Sequence, residues 1–379
     1  MSPEPKIKVA LFFTHGVSLS EWDEKGLLER EVELYKRLSL HNIEFTFFSY
    51  GDKSDLRYEQ MIPSLKVVPI HATVPFKNLK IFQYLISPLL PLLFKKELLD
   101  IDLIKTNQTW GGWVARMASN LNDTPLLARS GYEPNRYAEH EDRSWLYRKI
   151  LSILSLSLYN GAKRILVSSK RDKEYLVENM AIPNNKIHLH LNWIDCQLFK
   201  PMHPVAKAKR ILFVGRLTGV KNIPFIIDGC KGICGLDILG QGEEAGSLKE
   251  YVETHHLDVN FLPTRPNDQL PEVYSDYPVY VIASHYEGMP KTMLEAMACQ
   301  RAILGVDIQG ITDIVEHEKN GLIFAKNNTE DFREKLKTLL GDEDSRENMA
   351  ENARQYIKDN CSLESYVAAE IEHYKAVLN

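Results

Sequence analysis

Short unbroken apolar runs alternate along the chain with stretches in which apolar residues return every three or four positions. The runs at 7–13 (IKVALFF), 43–50 (IEFTFFSY), 102–107, 124–130, 164–169 and 186–195 predict strands. They are apolar at nearly every position, as in strands buried on both faces of a parallel sheet; one wet face would impose strict alternation. Between the first two, GLLEREVELYKRLSL (26–40) carries the apolar stripe of an amphipathic helix. At 198–209, LFKPMHPVAKAK has two prolines and several lysines without periodicity, which predicts an interdomain linker. The pattern then restarts, with strands at 210–217, 236–240, 259–264, 278–284 and 302–307 and amphipathic helices toward the end. Alternation of this kind predicts an α/β architecture of two Rossmann-like, doubly wound domains. The expected boundaries are 1–199, 200–357 and a C-terminal helix at 358–379. A length of 379 residues suits two domains, and a cleft between them would be the default ligand site.

Composition changes this picture little. At 44% hydrophobic and 26% charged residues the chain is an ordinary globular one, and a net charge of −5 provides no basic field for nucleic acid. Five cysteines (Cys196, Cys230, Cys234, Cys299, Cys361) lack zinc-like spacing, which predicts reduced structural thiols in a cytosolic protein. MSPEPKIKVALFF lacks the long apolar stretch of a secretory leader before its first strand, so none is expected there, and no run reaches the ~20 apolar residues needed to span a bilayer.

Chemistry concentrates in loops that follow strands. After the first strand, FFTHGVSLSEWDEKG lacks the dinucleotide G-x-G-x-x-G; Gly16 alone could admit a ligand to the backbone or be a simple turn glycine. FVGRLTGVKN places Arg216 and Lys221 just past a strand, where they could hold a diphosphate, as a planar fork and a point charge, or remain solvated surface cations. ILGQGEEAGSL adds Gly240 and Gly242 in a tight turn at the same rim. In EGMPKTMLE, Glu287 follows a strand and Pro290 is placed to start a helix, whose N-terminus favours an anion. Glu295 would lie about 7 Å along that helix, at ~1.5 Å per residue. Two acids so spaced could take the hydroxyls of two sugar ends of one ligand, or be a helix-terminal charge and a surface residue. The string Asp100-Ile101-Asp102 opens a first-domain strand and reads as structural rather than as a metal site.

In chain order, GLLEREVELYKRL, NWIDCQLFKP (with Asn192, Asp195 and Phe199), FVGRLTGVKN, ILGQGEEAGSL and SHYEGMPKTMLEAMACQRAILGVDIQGITDIVEHEKNGLIF resemble motifs of the GT-B retaining glycosyltransferases of family 4. The resemblance implies a GT-B fold whose C-terminal helix returns toward the first domain. It implies a retaining transfer of a sugar from a nucleoside diphosphate, with the nucleotide sugar as co-substrate and neither cofactor nor metal. Carried over by motif, Arg216 and Lys221 would hold the diphosphate and stabilise the leaving group, Glu287 would bind the donor sugar and Glu295 the ribose. Backbone groups at Gly16, Gly240, Gly288, Met289 and Pro290 would cradle the donor, and the backbone near Thr264, Arg265 and Pro266 would meet the base. The chain departs from the family at LLARSGYEP, where relatives carry a histidine; Arg129 and Tyr132 are the acceptor-side candidates there.

The implied acceptor is a glycan or a lipid-linked sugar. FKNLKIFQYLISPLLPLLFKKELL (76–99) is strongly apolar and bracketed by Lys77, Lys80, Lys95 and Lys96. A helix broken near Pro88 and Pro91 and packed on the first sheet is the favoured reading, and contact with an anionic membrane is the other. Both hold if one face packs while the other dips. The expected location is cytoplasmic, with peripheral contact to the membrane's cytoplasmic face. A nucleotide-sugar epimerase and an inactive sugar-binding scaffold subunit are the competing functions.

Overall fold

The computed structural model describes residues 6–74, 80–140, 143–207 and 209–379. By packing, the chain divides into one unit of Met1–His190 with Val367–Asn379 and a second of Leu191–Tyr366. The first holds β1 (Ile7–Phe12), β2 (Ile43–Ser49), β3 (Lys66–Pro69), β4 (Leu103–Thr106), β5 (Leu126–Ser130), β6 (Arg164–Val167) and β7 (Ile187–Leu189), in the order β3-β2-β1-β4-β5-β6-β7. The second holds β8 (Arg210–Val214), β9 (Gly235–Leu239), β10 (Val259–Leu262), β11 (Val279–Ile282), β12 (Ala302–Val306) and β13 (Leu322–Phe324), in the order β10-β9-β8-β11-β12-β13. The strand pairs are parallel, with Ile7 opposite Ile43, Val9 opposite Leu103 and Tyr280 opposite Leu212. Each order builds outward from its first strand and then jumps to that strand's other side. This is doubly wound topology, with switch points between β1 and β4 and between β8 and β11. The central strands are buried along most of their length, which is why they read as continuous apolar runs.

Several local expectations change. The short strands β3 and β13 were not expected, and β7 covers only the start of the run 186–195. Beyond it the chain leaves the sheet: Ile194 pairs with the 361–363 segment through Ile194 N–H to Cys361 O (2.8 Å) and Leu363 N–H to Ile194 O (3.0 Å). The stretch read as a linker is packed onto the second unit. Phe199 is buried near Tyr274, and the N–H groups of Ala206 and Lys207 donate to Asp276 O at 3.1 and 2.8 Å. The packing division therefore falls at His190, earlier than the 199/200 boundary read from the prolines.

The C-terminal helix is Leu363–Leu378, and from Val367 onward it belongs to the first unit. Glu370 is fully buried there and ion-paired with Lys105 of β4, with His190 Nε2 3.2 Å from its other oxygen. Lys163 Nζ donates to Val377 O at 2.8 Å, placing a cation at the helix's negative end.

Candidate functional site

Strands of a parallel sheet end on one rim, so in the second unit the loops after β8, β9, β10 and β11 open together. β8 and β11 are neighbours, and their loops meet at the switch point. His285 N–H donates to Val220 O at 2.8 Å, which ties one loop to the other. Across this junction the Lys221 ammonium and the Glu287 carboxylate form an ion pair, with side chains 16% and 12% exposed. Ser284 Oγ donates to the same Glu287 oxygen at 2.7 Å, so two donors aim this carboxylate. Arg216 is exposed on the β8 loop, and no described residue pairs with its guanidinium. The β8 loop thus carries a paired cation, Lys221, and, among the described residues, an unpaired one, Arg216.

Gly240 explains how the β8 and β9 loops lie so close. A Cβ there would sit 1.8 Å from Gly215 O, so no side chain fits. Leu217 N–H donates to Gln241 O (2.8 Å) and Glu244 N–H to Leu217 O (3.1 Å), which locks the two turns together. Arg265 is exposed in the loop after the edge strand β10.

The segment Gly288–Pro290 is buried rather than laid open on the rim. Pro290 is the N-cap of the helix Lys291–Ala298, not its first residue, and a proline has no N–H to give an anion. The donors at this end begin with Gly288 and Met289 and continue with Lys291 and Thr292. Met289 is held from behind: Asn192 Nδ2 donates to its carbonyl at 3.1 Å. Glu295 is 1% exposed, and Tyr274 Oη donates to it at 2.9 Å. The two glutamates therefore differ in kind, Glu287 at the rim and Glu295 in the wall behind it.

Sequence reasoning missed Gly310. Its φ is +86°, and a Cβ would lie 2.6 Å from the carbonyl oxygens of both Glu287 and Gly288. A glycine just past β12 was the available signal. Ser284 and Tyr274, which orient the two glutamates, carry no pattern that marks them.

In the first unit Gly16 follows β1 with φ +82° and is exposed. Next to it His15 is buried in an aromatic nest, stacked on Tyr84 at 4.5 Å, and burial lowers its pKa to about 4. Arg129 lies near enough to Lys105 and His190 for its charge to bear on both, which places it with the Glu370 cluster; Tyr132 is exposed. The β5 loop instead buries Glu133 completely. Its carboxylate accepts from Tyr159 Oη and from Asn135 N–H (3.1 Å) and Nδ2 (2.7 Å), and burial raises its pKa to about 7.

A pH dependence follows. The folded pKa of Glu133 lies above the unfolded value, so the folded state holds a proton that the unfolded chain releases. Its contribution is fully present below about pH 4.5 and is lost as pH rises through 7. One pKa unit corresponds to ~1.4 kcal/mol. Glu133→Gln is expected to gain stability relative to the parent between pH 5 and 7.5, by on the order of 3 kcal/mol. Urea midpoints of both proteins across that range check it; a constant difference would show that Glu133 does not titrate there.

Residues 198–356 match the family model for glycosyl transferases group 1, and residues 32–198 match the one for glycosyltransferase family 4. The chain is 26% identical over 346 residues to the N-acetylgalactosamine-N,N'-diacetylbacillosaminyl-diphospho-undecaprenol 4-alpha-N-acetylgalactosaminyltransferase of Campylobacter jejuni, covering 88% of this chain and 92% of that one. Among solved structures it resembles the sucrose-phosphate synthase of Thermosynechococcus elongatus, with TM-score 0.81 and 19% identity over 98% of this chain and 99% of that one. It also resembles HepE of Anabaena in complex with UDP-glucose, with TM-score 0.75 and 16% identity over 98% and 100% of the two chains. The last two likenesses are of fold, and that fold is GT-B.

Proposed function

Since the chain belongs to the group 1 glycosyltransferases, we propose that it moves a sugar from a UDP- or GDP-sugar to a glycan or lipid-linked acceptor, in polysaccharide or glycolipid biosynthesis. The observation that carries the reading is the meeting of Lys221 and Glu287 at the β8–β11 switch point, beside an unpaired Arg216. The Campylobacter relative is named for a diphospho-undecaprenol-linked acceptor, and HepE was solved with UDP-glucose; both support the class of substrates.

In this reading the diphosphate takes Arg216 and Lys221, and the N–H groups that begin the helix Lys291–Ala298 join them. Glu287, aimed by Ser284, takes hydroxyls of the donor sugar. Glu295, held by Tyr274, is the acid that takes the ribose. As the bond from the anomeric carbon to the diphosphate oxygen breaks, charge grows on the leaving phosphate, and fixed cations stabilise it more than they stabilise the ground state. The acceptor oxygen forms its new bond on the same face of the sugar and passes its proton to the leaving phosphate. Configuration is retained, and the positive charge comes from side chains rather than from a metal.

A thermal-shift screen of UDP, GDP, ADP and their sugar conjugates, with and without EDTA, tests this. One nucleotide is expected to raise the melting temperature in EDTA as much as without it, and Lys221→Ala to abolish the shift. No shift at millimolar nucleotide would remove the donor site, and a shift lost in EDTA would remove the metal-independent reading.

A further inference from the structure

We propose that one side of the first unit is a docking surface for an anionic phospholipid bilayer. Three stretches build it. The segment 80–98 is broken into the helices Lys80–Ile86, Leu90–Leu93 and Lys95–Leu98, with a 3-10 turn at Ser87–Leu89; the other two are the helices Gly112–Asn122 and Trp145–Gly161. Gly112–Asn122 packs against both Leu90–Leu93 and Trp145–Gly161, so it lies between them. Aromatic contacts seal the joints. Trp110 lies 6.2 Å from Tyr84, 5.2 Å from Trp113 and 6.3 Å from Tyr147, and Trp113 Nε1 donates to Ser87 Oγ at 2.9 Å.

The inward residues of these stretches are core, among them Leu90, Phe94, Val114, Leu151 and Leu158. The outward ones are also apolar: Leu85, Leu92, Trp145, Leu146, Ile150 and Ile153 are each 48–72% exposed. Met117 and Leu121 continue the surface on the helix between. Soluble monomers seldom leave a contiguous apolar face of this extent in water, so something covers it.

The charges indicate what. The three stretches, taken as 80–98, 112–122 and 145–161, carry Lys80, Lys95, Lys96, Arg116, Arg148 and Lys149 against Glu97 alone, in a chain whose net charge is −5. Lys149 sits 6.0 Å over the Trp145 ring, and the Arg143 guanidinium 5.5 Å over that of Tyr147. Exposed leucine and isoleucine, aromatic rings and cations on flexible stems are what an anionic lipid surface takes up, with the apolar groups among the acyl chains and the cations at the phosphates. A symmetric pair of copies would instead set this one-signed charge against itself. No described helix is long and apolar enough to cross a membrane, so the helices would lie in the plane of the interface. Lys77, read with this segment, lies outside the described residues.

The proposal is independent of the donor site, because its readout needs no nucleotide. The full chain is floated with vesicles of neutral phosphatidylcholine and with vesicles containing a quarter phosphatidylglycerol. Flotation with the anionic vesicles is expected, with each cation contributing roughly fivefold, so that Lys95→Gln/Lys96→Gln/Lys149→Gln weakens binding roughly a hundredfold. Ile150→Glu/Ile153→Glu is expected to abolish flotation, whereas Leu40→Glu, at an exposed leucine elsewhere, leaves it unchanged. Brominated lipid is expected to quench wild-type tryptophan emission, and Trp145→Phe to remove most of that quenching. Absence of wild-type flotation, or flotation indifferent to both sets of substitutions, would overturn the proposal. So would a lipid-free dimer that Ile150→Glu/Ile153→Glu dissociates, because the face would then be a protein interface.

Discussion

Lys221→Ala is expected to lower turnover of the donor by a hundred- to a thousandfold, the usual cost of removing one fixed charge aimed at a developing anion. The assay is slow hydrolysis of whichever nucleotide sugar stabilises the protein, so no acceptor is needed. Lys221 is also the partner of Glu287, however, and its loss could act simply by leaving that carboxylate uncompensated. Three variants separate the two effects. If Lys221 served only to neutralise Glu287, then Lys221→Ala/Glu287→Gln would recover most of the parent's rate. If both side chains act on the donor, the double variant is as inactive as the worse single one, since residues acting as a unit are not additive. Arg216→Ala isolates the charge from the fold: its guanidinium is exposed and no described residue pairs with it, so the melting temperature is expected to stay within a degree or two while the rate falls about a hundredfold. Recovery of the rate in the double variant, or a near-parental rate in Arg216→Ala, would remove the diphosphate role.

How much of this was legible depended on the range of the signal. The strands β1, β2, β8, β9 and β12 were readable because parallel strands covered on both faces must be apolar throughout. β3 ends in a proline and β13 has three residues, too short for any period to show. Arg216, Lys221 and Glu287 were readable as loop residues after strands, because chemistry gathers at strand ends and those positions need only local sequence. Bringing Lys221 to Glu287 took the sheet order, which is long-range information: the two meet only because β11 lies beside β8. The helix N-terminus was read correctly in place and wrongly in detail, since Pro290 is its N-cap and the buried Met289 is held by Asn192, about a hundred residues earlier. Tyr274 behind Glu295 and Tyr159 on Glu133 are further contacts of that kind. Arg129 was read as an acceptor-side candidate because it stands in LLARSGYEP, where relatives carry a histidine; that its charge bears on Lys105 and His190 in the Glu370 cluster is long-range information.

That cluster yields the largest expected stability effect. Glu370→Ala is expected to cost the first unit about 3–5 kcal/mol, the usual result of removing one partner from a buried ion pair. Lys105 and Glu370 have no exposed side-chain surface, so the remaining ammonium would lie in the interior without a carboxylate among its described neighbours, which include the Tyr374 hydroxyl at 3.4 Å and the Tyr35 ring at 5.7 Å. Burial works against the Glu370 charge, but Lys105 and His190 hold its pKa far below the usual carboxylate range. Stability drawn from this group is thus present at neutral pH and lost only in strong acid. Lys105→Met/Glu370→Leu is expected to recover most of what Glu370→Ala loses, because a well-packed apolar pair replaces a buried ionic one at little cost. With two units in the chain, a single melting temperature mixes two transitions. Hydrogen exchange resolved by segment is the appropriate readout, with protection expected to fall in β4 and along 367–378 in the single variant and to return in the double. Unchanged protection there in Glu370→Ala would mean that the C-terminal helix is held by its apolar contacts, Tyr374 and Val377 foremost, and that the ion pair contributes little.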